Sequence, residues 1–158
     1  MQTIICMKWG SRYGPEYVNR LYKSIKKHTK KNTRLFCFTD NSSDIDKNVI
    51  CKPLPKISLP EPISYTPWRK ISLWQHPLYD LKGDVLFLDL DLVITGNLDR
   101  FFNYRQGCYC VIENWTQIGK NIGNTSCFRF PVGKYNSVFE KFQNDPRKYW
   151  KKYHIEQI

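Results

Sequence analysis

One apolar stretch, residues 83–94, dominates the sequence, and two aspartates interrupt it. Aliphatic and aromatic residues fill it and turn-forming residues close both ends, a pattern typical of a buried strand rather than a helix. Because side chains alternate along a strand, Asp89 and Asp91 share one face with Phe87 and Val93. We therefore expect one long strand that carries both carboxylates on an otherwise apolar face.

This acidic pair has two interpretations. Charges in a strand most often belong to a solvated face, but Phe87 and Val93 do not suit such a face. Two carboxylates about 7 Å apart on one face repel each other and, if buried unpaired, cost several kcal/mol each, so they require cations or an opening to solvent. A Mn²⁺ or Mg²⁺ ion shared with phosphate oxygens meets that requirement. We therefore favour a metal and phosphate site at Asp89 and Asp91.

Length and composition predict one globular domain. The chain has 158 residues, of which 41% are hydrophobic and 15% aromatic, enough for a core of its own, and we interpret residues 1–158 as a single domain. No apolar run is long enough to cross a bilayer and the N-terminus lacks a signal-peptide pattern, so the sequence predicts a cytoplasmic protein. The six cysteines lack zinc-site spacing, and we expect them to be small buried residues.

Basic residues give the chain a formal net charge of +11. Much of the excess lies in two clusters, residues 23–31 near the end of the first predicted helix and residues 147–152. Solvated helix faces explain most of these charges. The other interpretations are contact with the anionic inner face of a membrane or with an acidic acceptor. No nucleic-acid motif accompanies the charge, so we expect no nucleic-acid partner.

Strands and helices alternate along the chain, which predicts a largely parallel sheet. Helices are predicted to begin at Pro15 and at Pro67, and a proline-rich crossing without regular structure precedes the second. A short helical piece follows residues 97–99, and a final helix presents one apolar face. The predicted strands are 3–7, 34–39, 49–51, 83–94, 108–112 and 126–130, and the apolar face of the final helix comprises Tyr135, Val138, Phe139 and Phe142.

The loop after the first strand is the second candidate for binding. In open α/β sheets, ligands bind beyond the carboxyl ends of the strands. Lys8, Trp9, Arg12 and Tyr13 therefore lie where a nucleotide base and its phosphates would dock. Aromatic residues that merely pack on the following helix are the alternative, and for Tyr13 the two interpretations stay open.

The order of these features resembles a known family. In chain order, the features are Lys8-Trp9-Gly10 with Tyr13, Thr39-Asp40, the helix with Lys70, Asp89-Leu90-Asp91, and Thr95-Gly96-Asn97-Leu98-Asp99. They resemble nucleotide-sugar glycosyltransferases of the GT-A fold, closest to the glycogenin-like and lipopolysaccharide-type enzymes of glycosyltransferase family 8 and their bacterial relatives. The resemblance implies an α/β, Rossmann-like fold whose mainly parallel central sheet is flanked by helices. It also implies metal-dependent transfer of a sugar from a nucleoside-diphosphate sugar, most often a UDP-sugar, to an acceptor hydroxyl.

Residue roles follow from the same resemblance. In the Asp-x-Asp motif, Asp91 is the metal ligand proper and Asp89 touches the metal or the ribose, with Mn²⁺ or Mg²⁺ as cofactor. Glu156 and Gln157 contact the transferred sugar, with Glu156 in place of the usual aspartate. The implied catalytic residues are Asp89, Asp91, Glu156 and Gln157, and the implied donor-binding residues are Lys8, Trp9, Tyr13, Lys70, Asp89, Leu90 and Asn124.

The ending departs from the family pattern. Relatives continue further and supply a histidine as third metal ligand, so the resemblance implies a chain that lacks the C-terminal part of the fold. His154 does not match that ligand position. The main alternative is therefore a non-catalytic nucleotide-sugar-binding module. A saccharide, a lipid-linked molecule or a protein remains open as acceptor, and a homodimer remains open as assembly.

Overall fold

The computed structural model describes residues 1–153, apart from the side chain of residue 65. These residues form two compact units. The first combines Met1–Leu54 with Gly83–Pro131, and the second combines Pro55–Lys82 with the described residues from Val132 onward. The single domain predicted from the sequence stays a prediction. No helix within the described residues has the length and apolar character needed to span a membrane.

A mixed sheet forms the centre of the first unit. Its strand order within the described residues is β3-β2-β1-β4-β6-β5. The four strands β3, β2, β1 and β4 are parallel to their neighbours in this order, whereas β6 runs antiparallel to both β4 and β5. The α/β fold class is confirmed. The strands are β1 Gln2–Lys8, β2 Thr33–Thr39, β3 Ile50–Lys52, β4 Asp84–Leu88, β5 Cys110–Glu113 and β6 Gly123–Pro131.

Helix α1, Pro15–His28, covers one face of this sheet. Proline suits its first position because the ring fixes the helical φ and the missing N–H would have no helical partner. Val18, Leu21 and Ile25 recur at helical spacing and are buried. They pack with apolar side chains of β1, β2 and β4 in one core cluster. The sequence prediction for this helix is confirmed.

The prediction of one long strand over residues 83–94 is wrong. Strand β4 ends at Leu88, and Asp89 makes the last bond to the sheet, from its N–H to the Ser126 carbonyl at 2.9 Å. Val93 is 85% exposed instead of sharing a buried face. Burying two unpaired carboxylates inside the sheet would be costly, whereas beyond the strand end they can meet solvent or a ligand. After β4 the chain enters the short helix α2, Asp99–Asn103, close to where a helical piece was predicted.

The second unit has a small core of its own. Ile63, Trp68 and Phe142 are buried, and the rings of Trp68 and Phe142 stack with centroids 5.4 Å apart. The helix predicted from Pro67 is a 3₁₀ helix, Pro67–Trp74, preceded by another at Ile63–Tyr65. The final helix divides into α3, Asn136–Asn144, and α4, Pro146–Tyr153. Val138, which was predicted on the buried face of α3, is exposed.

The cysteines only partly match the expectation of small buried residues. All six are free thiols. Cys6, Cys37 and Cys127 are buried, Cys51 and Cys110 are half-buried, and Cys108 is exposed. Cys108 lies just before β5, outside the sheet in which the sequence pattern had placed it.

Candidate functional site

The sheet order creates a crevice between β1 and β4. From β1 the chain builds β2 and then β3 on one side, and it returns to the other side of β1 with β4. Because β1 and β4 are parallel, their carboxyl ends lie at the same edge, and the connections that leave them diverge. Residues 9–14 follow β1 and residues 89–98 follow β4. These two segments, which form the candidate site, are those that the sequence singled out.

Tyr13 and Asp91 meet across this crevice although 78 positions separate them. The Tyr13 hydroxyl donates a hydrogen bond to Asp91 Oδ2 at 2.8 Å. This bond, together with burial and the Asp91 charge, raises the pKa of the Tyr13 hydroxyl. The Tyr13 ring packs edge-on against Tyr17 of α1 at 4.8 Å, and the Arg12 guanidinium carbon lies 5.4 Å from its centroid. The phenol therefore stays protonated near neutral pH and donates to the carboxylate.

Asp89 lies deeper than Asp91. Its side chain is half-buried, whereas that of Asp91 is exposed. Burial, reinforced by the Asp89 charge, raises the pKa of the Cys127 thiol to about 11. The Asp89 charge also contributes to the raised pKa of Cys6, where the hydrogen bond with Cys37 and burial are larger causes. Asp89 thus carries negative charge toward the sheet, and the thiols nearby stay protonated and unreactive.

The donor set fits a hard cation shared with a ligand. Asp89 and Asp91 offer carboxylate oxygens, which Mn²⁺ and Mg²⁺ prefer. Within residues 1–153, no group of three or more His, Cys, Asp or Glu side chains is arranged to hold a metal ion. Two carboxylates would therefore bind a cation whose remaining positions are filled by phosphate oxygens and water.

Lys8 and Gly10 connect the ends of β1 and β2. The Lys8 side chain is only 5% exposed, and its Nζ lies 3.4 Å from the Asn41 carbonyl oxygen. The Gly10 N–H donates to Asp40 Oδ2 at 2.8 Å, with Gly10 at a φ of +64° that favours glycine. The Lys8 amine thus points to the end of β2, while Arg12 is the exposed cation of the loop.

The other predicted donor-binding residues have different surroundings. Leu90 is buried in the core cluster, so only its backbone could face a ligand. Asn124 lies in β6, and its Oδ1 accepts from the Ser126 N–H at 2.9 Å. Trp9 is half-buried, as is Lys70 in the second unit. Glu156 and Gln157, like His154, lie outside the described residues.

A cavity that the sequence did not indicate opens directly after Asp91. It has a volume of about 680 Å³ and a mostly apolar lining from the segment after Asp91, from α2 and from β5 and β6. Arg100 is the basic side chain in this lining. The sequence signal for it is the apolar run Leu92-Val93-Ile94, which we assigned to the strand. Its lining includes Leu92, Ile94, Arg100, Phe101, Ile112 and Cys127.

Comparison with known proteins gives a fold likeness. No protein-family model and no curated protein match this sequence. The structure is similar to the apo form of the glycosyltransferase GlyE in Streptococcus pneumoniae TIGR4, with a TM-score of 0.60 and 14% identity over 97% of this chain and 39% of that one. A second GlyE structure gives the same values over 100% of this chain and 41% of that one. The chain thus spans about two fifths of the length of these structures. At this identity the likeness shows the fold alone: this chain shares its fold with the matched part of these structures.

Proposed function

We propose that this chain is a nucleotide-sugar glycosyltransferase domain of the GT-A type that resembles family 8. It moves a sugar from a nucleoside-diphosphate sugar, a UDP-sugar in the first instance, to an acceptor hydroxyl, and it depends on Mn²⁺ or Mg²⁺. One observation carries the proposal: an acidic pair leaves β4 at the switch point of the sheet, and its outer member is bonded to Tyr13 from the loop after β1. The fold likeness to glycosyltransferase structures supports it.

The chemistry of the proposed reaction is the departure of a nucleoside diphosphate. A bound divalent cation supplies charge neutralisation for that leaving group. The Asp89 N–H donates to the Ser126 carbonyl, so the backbone that carries its half-buried carboxylate is held in place at the strand end. Asp91, which is exposed, supplies the second oxygen ligand from the solvent side. In this arrangement the two carboxylates fix the diphosphate end of the donor.

The loop after β1 supplies the other end of the donor site. Trp9 and Tyr13 offer aromatic faces for the base, and the exposed Arg12 guanidinium offers a positive charge for phosphate oxygens. Arg12 suits this role better than Lys8, because the Lys8 amine is directed to the Asn41 carbonyl. The proposal therefore keeps Lys8 as a residue that shapes the loop and gives the phosphate contact to Arg12.

The acceptor is proposed to enter the cavity that begins at Leu92. This cavity lies next along the chain to Asp91 and is mostly apolar, with Arg100 in its lining. A volume of about 680 Å³ lies within the usual range of ligand pockets. An apolar cavity favours an acceptor with an apolar portion, so a lipid-linked acceptor suits it better than a bare saccharide.

A non-catalytic nucleotide-sugar-binding module is the second candidate. One observation favours it: within residues 1–153, no group of three or more His, Cys, Asp or Glu side chains is arranged to hold a metal ion. Such a module would bind the donor with Mn²⁺ but leave it intact.

Parallel assays separate the two candidates. Donor binding is measured by calorimetry, and release of nucleoside diphosphate from UDP-, GDP- and CDP-sugars is measured with Mn²⁺, with and without a lipid-linked acceptor. A transferase releases nucleoside diphosphate in a metal-dependent way, and the Asp91→Asn variant does not. Binding without release identifies the module, and failure of every donor to bind in the presence of Mn²⁺ contradicts both.

A further inference from the structure

The Asp91 carboxylate is engaged on one side only. Its Oδ2 accepts the Tyr13 hydroxyl at 2.8 Å, and the structure records no other hydrogen bond or ion pair for Asp91 within residues 1–153. A carboxylate has two oxygens and about four acceptor positions. One bond to Oδ2 therefore leaves Oδ1 able to bind a cation while the side chain is held in place.

The position of the Tyr13 hydroxyl is itself fixed by the packing of the Tyr13 ring. The Tyr13 ring packs against the core cluster and edge-on against Tyr17, which belongs to the helix α1. The position of this hydroxyl is thus set by a helix packed on the sheet and not by the loop alone. Asp91, by contrast, is exposed and follows the end of β4, so little else limits its rotamers. Ordering such a side chain at the moment of metal binding costs conformational entropy.

We propose that Tyr13 is a positioning residue for the metal ligand Asp91: its hydroxyl holds the carboxylate so that the free oxygen faces the cation. This inference rests on the proposed function, since it assigns the Tyr13 hydroxyl a task in the same site. The task differs from a contact between the Tyr13 ring and the base, because it depends on one oxygen atom and acts without nucleotide. Partners that orient metal ligands typically change metal affinity by about 10–100-fold when they are removed.

The test compares Tyr13→Phe with Tyr17→Phe. Both variants lose one hydroxyl from neighbouring rings, but only Tyr13 reaches Asp91. Mn²⁺ affinity is measured without nucleotide, by electron paramagnetic resonance or calorimetry. We expect the Kd for Mn²⁺ to rise about tenfold in Tyr13→Phe, at the lower end of that range because the site is exposed, and to stay within about twofold in Tyr17→Phe.

A double-mutant cycle with Asp91→Asn tests whether Tyr13 changes Mn²⁺ affinity through Asp91. If Tyr13 acts through Asp91, adding Tyr13→Phe to Asp91→Asn leaves the remaining Mn²⁺ affinity unchanged. Equal Mn²⁺ affinity in the wild type and Tyr13→Phe overturns the inference and leaves the proposed function standing. Tighter Mn²⁺ binding in Tyr13→Phe also overturns it, because the hydroxyl would then compete with the cation. If Mn²⁺ binds the wild type neither alone nor with uridine diphosphate, the proposed function and this inference fail together.

Discussion

Replacing Arg129 is expected to be the most damaging single change in the first unit. Arg129 lies in β6 and is fully buried. Its guanidinium donates hydrogen bonds to the carbonyls of Phe101 and Arg105, and its Nε lies 3.7 Å from Asp84 Oδ2. Phe101 lies in α2 and Arg105 in the connection from α2 to β5, so one buried cation in β6 holds that connection to the sheet.

The size of the effect follows from what Arg129→Met leaves behind. Methionine fills part of the volume but donates nothing, so the carbonyls of Phe101 and Arg105 lose this donor. Within residues 1–153, the half-buried Asp84 carboxylate then keeps the Gly107 N–H at 2.9 Å as its hydrogen-bond donor. Removing one partner of a buried ion pair typically costs about 3–5 kcal/mol. Since domains are stable by only about 5–15 kcal/mol, the variant should be marginally folded.

Urea unfolding followed by circular dichroism measures this loss. Arg100→Met, at an exposed arginine of α2, is the matched control and should change the free energy of unfolding by less than about 0.5 kcal/mol. Adding Asp84→Asn to Arg129→Met removes the uncompensated charge, so the double variant should be more stable than Arg129→Met alone. The reasoning is refuted if Arg129→Met costs no more than Arg100→Met, or if adding Asp84→Asn lowers stability further.

Three further predictions concern stability and reactivity. Backbone N–H groups after α1 lower the pKa of the buried Asp99, so its carboxylate should stabilise the fold above its ordinary pKa of about 3.9 and lose that effect as the pH falls below it. In urea unfolding, the difference in unfolding free energy between the wild type and Asp99→Asn should therefore shrink from pH 7 to pH 3. A constant difference would contradict this. Phe142→Ala should destabilise the second unit by about 3–5 kcal/mol in thermal unfolding, because Phe142 is buried and its ring stacks on Trp68. Val138→Ala, at an exposed position, is the control, and equal destabilisation by the two variants would contradict the assigned core. A thiol reagent at pH 8 should modify the exposed Cys108 well before Cys127, which is buried and whose pKa is raised to about 11. The order of modification is read by mass spectrometry, and the reverse order would contradict the buried position of Cys127.

Some of this molecule follows directly from local sequence. Helix α1 could be predicted because Pro15 marks its start and its apolar residues recur at helical spacing. The acidic pair was predicted to be a site because charged residues that interrupt an apolar run need a partner, and this role stays a prediction. The position of the loop after β1 followed from the rule that ligands bind beyond the carboxyl ends of parallel strands. Asp89 and Asp91, by contrast, were expected inside a strand that in fact ends at Leu88.

Other features depend on contacts between distant parts of the chain. The end of β4 at Leu88 was missed because Leu92-Val93-Ile94 prolongs the apolar pattern, and a local pattern does not distinguish residues that pack in a sheet from residues that line a cavity. The bond between Tyr13 and Asp91 spans 78 positions, and the antiparallel addition of β6 to β4 depends on pairing that no single segment encodes. The inward direction of the Lys8 amine likewise follows from its neighbour at the end of β2.

The most direct test of the proposed function is metal-dependent donor binding at Asp91. Thermal unfolding is followed with uridine, guanosine and cytidine diphosphate sugars, each with and without Mn²⁺, for the wild type, Asp91→Asn and the exposed control Asp80→Asn. A donor at 100 times its Kd should stabilise the wild type and Asp80→Asn by about 2.7 kcal/mol, and only with Mn²⁺. Asp91→Asn should fold as well as the wild type, because the exposed carboxylate has no stabilising ion pair within residues 1–153, and should show no such shift. Equal donor stabilisation of Asp91→Asn and the wild type, or none in any protein with any donor, would contradict the proposed function.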